Sequence, residues 1–123
     1  MADKVLVIDD DADTCALLQF TLENAGYKVV ICPNGRNAID KIKLEKPQAV
    51  ILDVMLPGMD GVTITKKMND DEELKKIPVI VSSAMDSAQG LFQGLFNMSK
   101  FLSKPFNPED LLEELHNAIE SAG

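Results

Sequence analysis

The chain has 123 residues, enough for one compact domain of ordinary size, so residues 1–123 are expected to form a single domain. Hydrophobic residues make up 46% and charged residues 26%, with only 7 Gly and 6 Pro, which excludes a disordered or fibrous chain. A net charge of −8, from 20 acidic against 12 basic residues, argues against binding nucleic acid or an anionic membrane and leaves a protein or a cation as the expected partner.

Taken in chain order, five short apolar runs alternate with stretches of helical period. The runs Val5–Ile8, Val29–Cys32, Ala49–Leu52, Val79–Val81 and Phe101–Leu102 are rich in Val and Ile and read as buried strands. Helices are predicted over 12–25, 35–45, 61–70, 87–96 and 108–121. Gly26 ends the first and Pro47 follows the second, while Asn107, Pro108, Glu109 and Asp110 supply a cap, a first-turn proline and early acids for the last. The 87–96 stretch is the weakest helix former, because Gly90 and Gly94 each cost about 1 kcal/mol relative to alanine. Its Phe/Leu pairs are expected to be exposed. On the first helix Leu18, Leu22 and Ala25 form the expected inward stripe, with Phe20 either outward or extra core.

This alternation predicts an α/β fold: a doubly wound (βα)5 unit of the flavodoxin-like kind, with a five-stranded parallel sheet of order 2-1-3-4-5. No apolar run approaches the ~18 residues of a membrane span, and the start MADKVLVIDD lacks a signal-peptide core, so a cytoplasmic protein is expected. Cys15 and Cys32 lack metal-site or redox spacing and are expected to be buried, reduced thiols. His116, on the acidic last helix, is read as a solvated residue.

In open α/β sheets, ligands bind beyond the carboxyl ends of the strands. The residues there are Asp9-Asp10-Asp11, Asp53, Ser82-Ser83 and Lys104-Pro105. Asp11 is the expected cap of the first helix, and Asp9 and Asp10 are open to capping or to metal binding. Asp53 stands inside AVILDVML, where no helix begins and an unpaired carboxylate would be costly to bury. Converging carboxylates repel unless a cation neutralises them, and an all-oxygen cluster suits Mg²⁺ rather than Zn²⁺. An EF-hand is excluded, since Thr14 stands where that loop needs glycine and Phe20 where it needs glutamate.

At these residues the chain resembles the receiver (CheY-like) domain of two-component response regulators, through VLVIDDD, AVILDVMLPGMDG, IPVIVSSA and FLSKPF in that order. The resemblance implies Asp53 as phosphoacceptor, and Asp9, Asp10, Asp53 and the Met55 backbone carbonyl as Mg²⁺ ligands. It further implies Lys104 as the cation that pairs with the phosphoryl oxygens, Ser83 as the switch hydroxyl, and Phe101 as the aromatic that changes rotamer with it. A cis peptide between Lys104 and Pro105 is implied as well. The expected function is phosphoryl transfer from a sensor histidine kinase or histidine phosphotransfer domain to Asp53 with Mg²⁺, followed by a conformational switch read by a downstream protein. Such a chain is no enzyme beyond its own Mg²⁺-dependent phosphorylation and dephosphorylation, and is a monomer or a weak phosphorylation-dependent dimer without direct nucleic-acid binding. Thr14 and Leu17, on the helix that docks the donor in this family, are the expected partner contacts.

Two other readings use the same residues: a non-phosphorylated interaction scaffold of this fold, and a small phosphatase with an aspartate nucleophile. The complete residue set disfavours the first, and the lack of a water-positioning base disfavours the second. Two departures from the family pattern stand out. Asn97-Met98 replaces the common Gly-Ala before the fifth strand, and Met55 and Met85 flank the pocket with side chains unable to orient water, so slow hydrolysis of phospho-Asp53 is expected.

Overall fold

Each apolar run becomes a strand, extended by a residue or more where polar neighbours join the ladder. In the computed structural model, which describes residues 3–84, 90–92, 94 and 98–122, these are β1 (Lys4–Ile8), β2 (Lys28–Cys32), β3 (Ala49–Asp53), β4 (Val79–Ser83) and β5 (Met98–Ser103). All pairings are parallel and the order is β2-β1-β3-β4-β5, as predicted. The central strands β1, β3 and β4 are covered on both faces, which explains their unbroken Val/Ile/Leu composition.

Helices α1 (Ala12–Asn24), α2 (Ala38–Glu45), α3 (Gly61–Asn69) and α4 (Pro108–Ala122) complete the layers. Leu6, Ile8, Leu52 and Val81 meet Ile42 of α2 and Ile64 of α3 in one core; Val7, Ile51 and Ile80 meet Leu18 and Leu22 of α1 and Leu111 of α4 in the other. The two expected caps, at Asp11 and Asn107, are present, and Asp60 adds an unforeseen one for α3. Asp11 accepts the Thr14 amide at 3.1 Å, Asp60 accepts the Thr63 amide at 2.9 Å, and Asn107 accepts the Glu109 amide at 2.8 Å. Gly26, at φ +97°, takes the left-handed turn that ends α1.

Several expectations are corrected. The inward stripe of α1 is Cys15, Leu18 and Leu22; Ala25 is the exposed C-cap of the helix, already past its last turn. Of the two readings left open for Phe20, the outward one holds, since it is 68% exposed. Helix α2 begins at Ala38, later than its sequence period suggests, because the preceding residues are held by other bonds. The Gly35 amide donates to Pro57 O at 3.0 Å and Asn34 Oδ1 accepts the Asn37 amide at 3.0 Å. A side chain at Gly35 would put its Cβ 1.7 Å from Met59 O, so only glycine fits this approach.

The predicted fourth helix falls mostly outside the described residues. Within them, Gly90–Phe92 form a short 3-10 turn, in which Leu91 is exposed as expected but Phe92 is buried against Phe101, with ring centroids 6.3 Å apart. Asn97 and Met85 also lie outside the described residues. Strand β5 is longer than predicted and carries a register shift, with Val79 paired to Met98 and Ile80 to Lys100. Cys15 and Cys32 are buried free thiols on opposite faces of the sheet, and His116 is exposed. No helix of the described residues is long and apolar enough to cross a membrane.

The two faces of α1 give a direct test of this packing. Leu22→Ala is expected to cost about 2–5 kcal/mol of folding stability, and Phe20→Ala no more than about 0.5 kcal/mol. Urea unfolding of both variants measures the difference, and a large loss in Phe20→Ala would contradict the observed exposure.

Candidate functional site

Strand order brings the predicted residues to one rim. Adjacent strands β1 and β3 end side by side, so Asp9, immediately after β1, lies near Asp53, the last residue of β3. Together with Asp10 they each offer one carboxylate oxygen, all within 4.8 Å of one another. Asp9 and Asp53 are buried, at 2% and 9% exposure, whereas Asp10 is exposed. Asp11 is drawn away from the cluster. Its carboxylate accepts both the amide and the hydroxyl of Thr14, and these bonds hold it below the usual carboxyl range.

Lys104, just past β5, reaches into this rim. Its Nζ donates to Asp9 Oδ2 at 2.9 Å and lies 3.5 Å from Asp53 Oδ2. Its amide donates to Ser83 O at 2.7 Å, which ties its backbone to the end of β4; the peptide bond to Pro105 is cis, as the resemblance implied. Burial alone would lower the Lys104 pKa, but the carboxylates of Asp9 and Asp53 outweigh it and leave the ammonium held above its usual range.

Asp53 shows the opposite balance. Burial raises its carboxyl above the usual range and the Asp9 charge adds to the effect, with Lys104 and the Met55 amide, 3.3 Å from Oδ1, only partly offsetting both. The Asp9 backbone is fixed on two sides, its amide donating to Cys32 O at 3.2 Å and its carbonyl accepting the Cys15 thiol at 3.2 Å. Burial, with the charge of Asp9 next, pushes the Cys15 thiol up to about 11, so it stays a protonated donor.

The remaining predicted residues surround this centre. Ser83 ends β4 and is buried; Phe101 is half-buried on β5; Met55 is 61% exposed beside Asp53. Thr14 is engaged in the cap of α1, and Leu17, one turn on, is 53% exposed. Sequence reasoning missed the backbone contact behind Asp53. A side chain on Gly61 would put its Cβ 2.6 Å from Asp53 O, and the Gly61 amide donates to Val54 O at 2.9 Å. The glycine in the Asp-Gly pair was visible, but its partner across the loop was not.

An all-oxygen set of three carboxylates fits Mg²⁺ better than a softer metal. The profile of the response regulator receiver domain matches residues 5–116, and the chain belongs to that family. Receiver domains are the phosphoacceptor signalling modules of two-component systems and bind Mg²⁺ at an acidic pocket. They interact with histidine kinases or phosphotransfer proteins and with downstream targets.

Among relatives, the alkaline phosphatase synthesis transcriptional regulatory protein PhoP of Bacillus subtilis is 34% identical over 112 residues, which cover 90% of this chain and 46% of PhoP. The chain thus spans about half the length of that curated relative. The structure of the chemotaxis response regulator CheY4 of Vibrio cholerae superposes with a TM-score of 0.87 at 29% identity, covering 96% of this chain and 99% of CheY4. The receiver domain of a Francisella response regulator gives 0.88 at 26% identity, covering 98% of this chain and 99% of that one.

The electrostatics of Asp53 carry a sign that can be measured. Its carboxyl is held above the usual range in the folded chain, so its ionisation costs stability above the ordinary carboxyl value and costs nothing below it. Asp53→Asn is expected to raise the thermal midpoint of the metal-free protein at neutral pH and to lose that advantage below about pH 4. Equal midpoints at neutral pH would contradict the assignment.

Proposed function

We propose that the chain accepts a phosphoryl group on Asp53 from the phosphohistidine of a kinase or phosphotransfer domain. The observation that carries this reading is Lys104, whose ammonium meets Asp9 and Asp53 at the end of the sheet beside a third carboxylate. An Asp53 carboxylate oxygen attacks phosphorus, the P–N bond breaks, and its electron pair leaves with the imidazole. Lys104 pairs with the incoming phosphoryl oxygens, and the close approach of Gly61 holds Asp53 to its place.

Asp9, Asp10 and Asp53, with the Met55 carbonyl, would hold Mg²⁺, which supplies charge neutralisation at the phosphoryl oxygens. Ser83 and Phe101 are the residues assigned to the conformational switch; Phe101 already packs on Phe92, so a change of its rotamer would be felt by the 3-10 turn beneath it. The output face, oligomeric state and cellular site follow the family expectation of a cytoplasmic signalling protein.

Incubation with acetyl phosphate and Mg²⁺ is expected to add one phosphoryl group by intact mass, and Asp53→Ala to add none. Continued turnover of acetyl phosphate without a lasting adduct would instead indicate a phosphatase, and no adduct at all a scaffold.

Donor docking separates from chemistry. Leu17 and Phe20 form an exposed apolar pair on α1, next to the rim. Leu17→Ser is expected to slow transfer from a phosphohistidine protein about tenfold, a loss of roughly 1.4 kcal/mol, with the acetyl phosphate rate unchanged. Equal slowing with both donors would place Leu17 in folding or chemistry instead.

A further inference from the structure

We propose that the Ser82 hydroxyl is a latent hydrogen-bond donor to the Asp53 carboxyl group, engaged when that group carries a phosphoryl. The inference rests on the phosphoacceptor reading of Asp53 and adds a residue to it. Ser82 is 1% exposed, and its Oγ is buried with no hydrogen-bond partner among the described residues. Buried hydroxyls are ordinarily paired, and an alanine would fill nearly the same space without the orphaned group.

The sheet register says what this hydroxyl stands beside. Ser82 of β4 is the direct partner of Asp53 on β3 and of Leu102 on β5. Side chains alternate along a strand, and register partners share a face. Ile51 and Ile80 both face the α1/α4 core, so Asp53 and Ser82, two residues further on, return to that same face. Asp9 does so two residues after Val7, and Lys104 two after Leu102. Ser82 therefore stands in one row with Asp9 and Asp53, and its other in-register neighbour is apolar. Ser83 alternates to the opposite face, so the tandem serines are not equivalent.

In the unmodified chain both Asp53 oxygens already have donors, though distant ones: the Met55 amide at 3.3 Å and Lys104 Nζ at 3.5 Å. Phosphorylation converts one oxygen to the bridge of a mixed anhydride and adds acceptor oxygens that compete for Lys104. The Asp53 carboxyl group then loses Lys104 as a donor, and Ser82 holds an uncommitted one in register with it. A hydroxyl unsatisfied in one state and satisfied in the other shifts the balance toward the second through that differential contact.

Beryllofluoride, a phosphoryl mimic, tests this without turnover. In excess Mg²⁺, its apparent affinity is read from the rise in thermal midpoint as beryllofluoride is titrated. Ser82→Ala is expected to bind it about fivefold more weakly than wild type, and Ser82→Thr, which keeps the hydroxyl, within about twofold of wild type. Affinity for Mg²⁺ alone is expected to be the same in all three. Wild-type affinity in Ser82→Ala overturns the inference, and so does equal weakening in Ser82→Thr, which would reveal a packing effect. A wild-type chain that neither responds to beryllofluoride nor takes up a phosphoryl group defeats the phosphoacceptor reading itself and the inference with it.

Discussion

Three carboxylates held within 4.8 Å of one another, two of them buried, are the constraint on which the rest of the structure turns. Like charges this close disfavour their own ionised forms, and the protein supplies one ammonium against them. That ammonium is Lys104, separated from Asp9 by 95 positions in the chain. Only a sheet that sets β3 between β1 and β4, with β5 beyond, gathers these residues, so the strand order and the charge cluster specify one another. The parallel arrangement matters equally, because it puts every strand's carboxyl end on the same rim.

Backbone packing then fixes what the charges alone would leave loose. The loop after β3 is met from two directions, by Gly61 against Asp53 O and by Gly35 against Met59 O. Gly58, at φ +89°, lies against Arg36, so the loops after β2 and β3 interlock through glycines on both sides. Cys32 O and the Cys15 thiol clamp the Asp9 backbone in a similar way. The side chains at the rim are therefore carried by segments that have little freedom to relax away from their mutual repulsion.

Strands and caps were legible in the sequence because they depend on local pattern. A central parallel strand must be apolar on both faces, which AVIL and VLVI announce directly, and Asp11 or Asn107 caps a helix through atoms two or three residues away. What the sequence concealed depends on partners distant in the chain. Phe20 could be read as surface or as core until α1 was placed with Cys15, Leu18 and Leu22 inward, and Phe92 looked exposed until Phe101 stood opposite it. The late start of α2 follows from Pro57 and Met59, which no helical period in residues 35–45 could reveal. At the site, residue identities were readable from their positions after strands, and so was the Asp11 cap. The division of labour between Asp9, buried and paired with Lys104, and Asp10, left exposed, needed the structure itself.

The charge at the rim finally explains why a divalent cation and this fold belong together. Asp9, Asp10 and Asp53 carry a formal −3 and Lys104 +1, so the site has a formal charge of −2 when alone. A phosphoryl group is itself anionic, and one unit charge against another at about 4 Å costs roughly 4 kcal/mol where the effective dielectric constant is near 20. Lys104 cannot cancel that repulsion, because its shorter contact is to Asp9 and the donor meets a net negative surface. On the phosphoacceptor reading, a bound Mg²⁺ would bring the formal charge to zero, and the attraction of Lys104 for phosphoryl oxygens would then act without opposition. On that reading, access to the Asp53 carboxylate is therefore conditional on the metal, and in the chain alone burial, with the Asp9 charge adding to it, holds that carboxyl above its usual range.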